Sequence, residues 1–255
     1  MRIIGAVALA HLINDLIQSV LPSIYPMLKA NYGLTFTQVG LITLTFQLTA
    51  SLLQPWVGYH TGRRPRPWRW PAGTVCTLVG ILMMSVVGSF ALILLAAGLI
   101  GIGSSTFHPE ASRVARLASG GRFGLAQSTF QVGGNAGSAF GPLLAAAIII
   151  PYGQGHVAWF GLFAVFALFV LYRISRWYAN HLSLFKLKQG QAATHGLSRS
   201  RVISALVVLG LLVFSKYFYM ASFTSYFTFY LIEKFDLSVA SSQLHLFLFL
   251  GAVAA

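Results

Sequence analysis

Acidic residues are nearly missing from this sequence. Among 255 residues there are four, Asp15, Glu110, Glu233 and Asp236, and charged residues of both signs make up only 8%. Soluble domains carry roughly 25%, so a water-exposed globular surface is excluded, and a composition that is 56% hydrophobic places the chain in a lipid bilayer. Cysteine is as scarce: the single Cys76 lies in an apolar run, which excludes a disulfide within the chain and leaves it as filling. The net charge of +13 owes as much to the missing acids as to the bases. Those bases flank apolar runs and do not form one face, so no nucleic-acid partner is expected.

What is present is long stretches without charge. The runs from Lys29 to Arg63, Arg69 to Glu110, Arg122 to Arg173 and Arg201 to Glu233 are interrupted only by Lys216. A helix needs about 20 residues to cross the hydrocarbon core, so the second and third runs hold two crossings each. Breaks fall near Gly88 and Ser89 and at "PYGQGH". The expected spans are 3–28, 36–59, 70–88, 91–114, 124–150, 157–176, 202–231 and 238–255. An amino terminus in the cytoplasm puts fourteen Lys and Arg on that side and only Lys29 and Lys234 on the other, which is the positive-inside pattern. The first apolar run is too long for a cleaved leader and carries Asp15, so none is expected.

"YGLTFTQVGLITLTFQLTA" from Tyr32 and "FDLSVASSQLHLFLFLGAV" from Phe235 share a pattern: a helix, a Leu-Thr or Leu-Ser turn, then an apolar span. Two parallel six-helix halves are expected. The first is a bundle over residues 1–178, followed by a cytoplasmic loop over 179–200 and the start of a second bundle over 201–255. On this reading the chain holds about the first eight of twelve helices. The fold class is an all-α polytopic membrane protein.

Polar residues inside the spans are the candidate site. His11, Asp15 and Gln18 follow i, i+4, i+7 spacing with Asn14 beside them, so one face of the first helix is polar. An acid there costs about 2.5 to 3.5 kcal/mol in lipid and must face a cavity or a partner. The competing reading is a hydrogen-bond cluster that fastens helices together. Glu110 precedes Arg113 by three residues, helical neighbour spacing that fits either an ion pair or a titrating carboxylate with a movable partner. His108 stands ready to share that proton, and Pro109 is expected to loosen the helix. Gln127, Gln131 and Asn135 form a polar stripe on the fifth helix, and Gly133, Gly137 and Gly141 a ridge of small residues. Ser104 and His108 at i, i+4 raise an intramembrane hydrolase, but nothing supplies an oxyanion site.

"HLINDLIQSVLPSIYP", "LTFQLTASLLQPWVG", "STFHPEASRVARLASGGRFGLAQSTFQVGGN" and "GPLLAA" together resemble the fosmidomycin resistance family, drug exporters of the major facilitator superfamily. The resemblance covers nearly the whole chain. The superfamily's antiporter motif matches Gly137, Gly141 and Pro142, and its loop motif matches Gly58, Arg63 and Arg66, with Gly62 at the usual acidic position. The resemblance implies a monomeric bacterial inner-membrane exporter, not an enzyme, that uses the proton gradient without cofactor or metal. It implies a small phosphonate as substrate; by residue type, Arg113 with His11, Asn14, Gln18, Gln127, Gln131 and Asn135 is expected to hold it, while Asp15, Glu110 and His108 are expected to carry protons. The alternatives are a membrane fragment without transport of its own, and a facilitator or importer of another small anion.

Overall fold

The computed structural model describes residues 2–189 and 198–254. Eight helical rods follow the order of the apolar runs: α1 (Arg2–Tyr32), α2 (Phe36–Arg63), α3 (Arg69–Val86), α4 (Phe90–Ala118), α5 (Phe123–Tyr152), α6 (Phe160–Gln189), α7 (Arg199–Phe235) and α8 (Val239–Ala254). The first seven are long and apolar enough to cross a bilayer, α6 together with a 3-10 turn at Gln154–Trp159. A backbone surrounded by lipid must satisfy its own N–H and C=O groups, which helices do.

Most helix ends run longer than the sequence expectation, although α3 stops at Val86, two residues short of the expected 88. α4 continues to Ala118, straight through Pro109, and α7 spans Arg199–Phe235. α6 reaches Gln189, so residues 179–189 of the expected loop are helical, while 190–197 lie outside the described residues. Charge-free gaps mark only the part of a helix inside the hydrocarbon, and the rods extend past it into the interface.

The two similar segments have the same joint. Before α2, Gly33 takes a left-handed conformation at φ 59°, and before α8, Asp236 does so at φ 52°. A leucine follows each, Leu34 or Leu237, and then a hydroxyl residue caps the next helix. The Thr35 side chain accepts from Gln38 N at 3.2 Å, and Ser238 Oγ accepts from Ser241 N at 3.2 Å. Such caps satisfy amide groups that the first turn of a helix leaves unpaired.

α1 sits at the centre, against α4, α5 and α6, with α5 its closest partner. The glycine ridge explains the closeness. A methyl at Gly133 would collide with the carbonyl of Ala8, one at Gly137 with the carbonyl of Leu12, and one at Gly141 with the Ser19 side chain. In lipid, where apolar burial drives little helix association, such backbone proximity provides the attraction. α3 packs on α4 and α6, α2 on α4, and α8 on α5.

The contacts between α7 and α1 or α2 gather at one end. Tyr25 OH and Ser225 Oγ both hydrogen-bond Thr43 Oγ1, at 2.9 and 3.3 Å, and Phe229 meets Phe36 edge-on with ring centroids 5.2 Å apart. Gln243 on α8 donates from Nε2 to the Ser23 carbonyl at 2.7 Å. Toward the basic end, α7 is exposed from Ile203 to Tyr219. The rods thus close at one end and part at the other.

Candidate functional site

A cavity of about 640 Å³ lies between α1, α2, α4 and α5 on one side and α7 and α8 on the other. α1 contributes His11, Asp15, Gln18, Ser19 and Ser23, and α4 contributes Ser104, His108 and Ser112 at four-residue spacing. From α5 come Gln131, Asn135, Ser138 and Pro142. α2 adds Thr43, Gln47, Ser51 and Gln54 through a π-helical stretch at Leu48–Leu52, a distortion common at functional sites. Across the space, α7 presents Lys216, Tyr217, Thr224 and Ser225.

At its heart are two imidazoles and one carboxylate. His11 Nε2 is 3.2 Å from Asp15 Oδ2, and His108 Nε2 is 4.0 Å from Asp15 Oδ1. Asn14 is buried just outside the cavity and donates from Nδ2 to Asp15 Oδ1 at 2.9 Å. His11 Nδ1 is 2.7 Å from the carbonyl of Phe130. A carbonyl oxygen only accepts, so Nδ1 carries a hydrogen. In a neutral imidazole Nε2 is then a bare acceptor, facing a carboxylate that also only accepts. The 3.2 Å contact is attractive only with a proton or another cation between the two groups. The ring is held by stacking on Phe130, with centroids 3.9 Å apart, and a side chain at Gly134 would strike both His11 and Asp15.

Gln18 accepts from Ser104 Oγ at 3.1 Å, tying α1 to α4. Gln131 and Asn135 reach the cavity, whereas Gln127 is exposed and lies 3.5 Å from Ser112 Oγ.

Glu110 and Arg113 lie elsewhere. Neither lines the cavity, and Arg113 faces α2. Arg113 Nη1 donates to Glu110 Oε1 at 2.8 Å and to Thr61 Oγ1 at 3.2 Å, and Nη2 donates to the Gly58 carbonyl at 3.3 Å. Glu110 is 1% exposed, and its Oε2 makes no hydrogen bond among the described residues. A Cβ on Gly62 would lie 3.4 Å from Arg113 Nη2. The guanidinium therefore occupies the side where an acid at position 62 would stand, and Glu110 neutralises it from its own helix. Arg63 stacks on Tyr59 at 4.2 Å, and Arg66 is exposed beyond the end of α2.

As cavity residues, the sequence reading passed over Lys216 and the α2 stripe of Gln47, Ser51 and Gln54, and it weighed Ser104 only as a hydrolase nucleophile. Signals for two of them were present: Lys216 is the sole charge within its apolar run, and the α2 residues keep i, i+4, i+7 spacing.

Residues 7–255 match the family model for the Major Facilitator Superfamily. The chain belongs to that superfamily. It is therefore a multi-pass membrane protein of a transporter family and not an enzyme. It is 58% identical over 253 residues to the fosmidomycin resistance protein of Escherichia coli (strain K12), covering 99% of this chain and 62% of that protein. It is 39% identical over 253 residues to the uncharacterized MFS-type transporter YfnC of Bacillus subtilis (strain 168), covering 97% and 62%. The chain thus spans less than two thirds of the length of these relatives. Among solved structures, a bacterial homologue of the human lysosomal transporter Spinster, inward-facing and occupied, matches with a TM-score of 0.68 at 14% identity, over 94% of this chain and 56% of that one. A peptide transporter in complex with sulfate matches at 0.56 with 15% identity, over 86% and 46%. These two likenesses concern the superfamily fold alone.

Proposed function

We propose that this chain forms the substrate- and proton-handling part of an exporter for a small anionic drug of the phosphonate class, driven by exchange against protons. One observation carries the reading: a single cavity is lined by Lys216 and by a histidine-carboxylate cluster whose close contact is attractive only with a positive charge between its members. Lys216 supplies the attraction for an anion, and Gln131, Asn135, Ser51 and Gln54 supply neutral donors around it. Arg113 is engaged with Glu110, so Lys216 takes the role of anion partner. With the proton between His11 and Asp15, the α1 cluster is compact. Its loss sets two acceptors against each other and favours a rearrangement of α1 against α4 and α7. The likeness to a fosmidomycin resistance protein supports the substrate class.

The test is drug efflux in a full-length transporter carrying this sequence. Lys216→Met removes one charged hydrogen bond, about 1.5 to 3 kcal/mol, and should weaken phosphonate binding roughly 10- to 100-fold. Asp15→Asn should abolish uphill export while leaving downhill exchange. If both variants export against a gradient like the parent, neither residue has the role assigned to it.

A further inference from the structure

We infer that His11, Asp15 and His108 form a three-ligand site for a transition-metal dication, with a fourth position open to the cavity. The inference is independent of the transport reading, because it rests on the geometry of three side chains.

The ligand atoms of the three residues all lie within 4.8 Å of one another. A tetrahedral metal with bonds of about 2.1 Å needs ligands about 3.4 Å apart. His11 Nε2 and Asp15 Oδ2, at 3.2 Å, already have that separation. His108 Nε2 is 4.0 Å from Asp15 Oδ1 and within 4.8 Å of the other ligand atoms, so it must close by up to about 1.4 Å. Its side chain is 27% exposed, so it has room to turn.

Two features beyond the cluster point the same way. The first is the Phe130 carbonyl on His11 Nδ1, the outer partner that a metal-binding imidazole typically has; it fixes the tautomer and aims the Nε2 lone pair inward. Asn14 does the same for the carboxylate, holding Oδ1 and leaving Oδ2 toward His11. The second is the pair of acceptors already described: with Nδ1 bonded to a carbonyl, His11 Nε2 and Asp15 Oδ2 point at each other, an arrangement that a dication between them stabilises as a proton does.

Ligand type selects the metal class. Two imidazoles and one carboxylate suit zinc, cobalt or nickel, whereas magnesium and calcium prefer oxygen ligands. His11 is 4% exposed, but Asp15 and His108 are 20% and 27% exposed, so the free coordination position opens to the cavity. There, an oxygen of an anionic substrate is able to complete the tetrahedron.

The test is cobalt(II) titration of the purified 255-residue chain, carrying an affinity tag without histidine, in lipid nanodiscs. One saturating cobalt per chain is expected, with the intense visible absorption of tetrahedral geometry and displacement by zinc. Asp15→Asn and His108→Gln should each weaken binding at least tenfold, the loss that even an outer-sphere partner produces. His60→Gln, on the exposed end of α2, should leave it unchanged. His108→Cys should keep the metal and add a thiolate-to-cobalt charge-transfer band, a signature that folding defects do not produce. Absence of saturable cobalt binding to the parent chain, or binding of parental strength in both Asp15→Asn and His108→Gln, overturns the inference. Failed metal binding with intact efflux removes this site alone. Intact metal binding with efflux indifferent to Lys216 and Asp15 removes the transport reading alone.

Discussion

Arg113→Met separates a structural cation from a substrate clamp. The guanidinium holds Glu110, Thr61 and the Gly58 carbonyl through three hydrogen bonds of 2.8 to 3.3 Å, and Glu110 is 1% exposed. Removing the cation leaves a buried carboxylate with no counter-charge, which costs about 3 to 5 kcal/mol. Replacing both members of such a pair with apolar residues of similar size is often neutral. Arg113→Met should therefore destabilise strongly, and Glu110→Leu with Arg113→Met should recover most of the loss. At 2 to 4 °C per kcal/mol, the single variant should melt about 6 to 20 °C lower. The assay is thermal unfolding of the purified variants, with phosphonate affinity measured below the transition. Affinity should stay within about twofold of the parent, since Arg113 does not line the cavity. A single variant with an unchanged melting point, or a double variant as unstable as the two losses summed, would refute the buried-pair account. A large loss of affinity without a loss of stability would return Arg113 to the substrate.

Gly137→Val should disturb the α1 and α5 contact, because the new side chain meets the Leu12 carbonyl; overpacking of this kind costs about 1 to 3 kcal/mol, or roughly 2 to 12 °C in melting temperature. Gly210→Ala, where nothing lies within 4 Å of the added methyl, should melt like the parent, and equal behaviour of the two variants would remove the ridge as the reason for the close approach. For orientation, single cysteines at Arg64 and Ser198 in a Cys76→Ser background should resist an impermeant thiol reagent in intact cells, while one at Asn31 should react. The reverse pattern would invert the topology.

Much of this was legible in the chain. Charge-free runs marked the eight rods because a charge in hydrocarbon is costly, and the "YGLT" and "FDLS" joints announced themselves because a left-handed residue followed by a hydroxyl cap is a local chemical requirement. The glycine ridge was legible as a ridge, but its partner was not: only tertiary structure says that Gly137 meets Leu12. Lys216 went unread as a site residue because one lysine in the middle of an apolar run gives no periodicity from which to read a face.

The two intramembrane acids show where sequence reasoning stops. Asp15 and Glu110 looked alike, each in an apolar helix with a basic residue at neighbour spacing, His11 for one and Arg113 for the other. What separates them is which face of its helix each occupies. His108 and Glu110 are two residues apart, about 200° around the helix. When Ser104, His108 and Ser112 turn to the cavity, Glu110 must therefore turn away, where it pairs with Arg113. The spacing fixed that these two groups diverge; which of them met the cavity was set by the neighbours of α4. Burial also fits that choice: the His108 side chain is partly exposed, whereas Glu110 is sealed against a guanidinium. On the transport reading proposed above, proton handling falls to Asp15 and its two histidines, while Glu110 pairs with Arg113 inside the bundle.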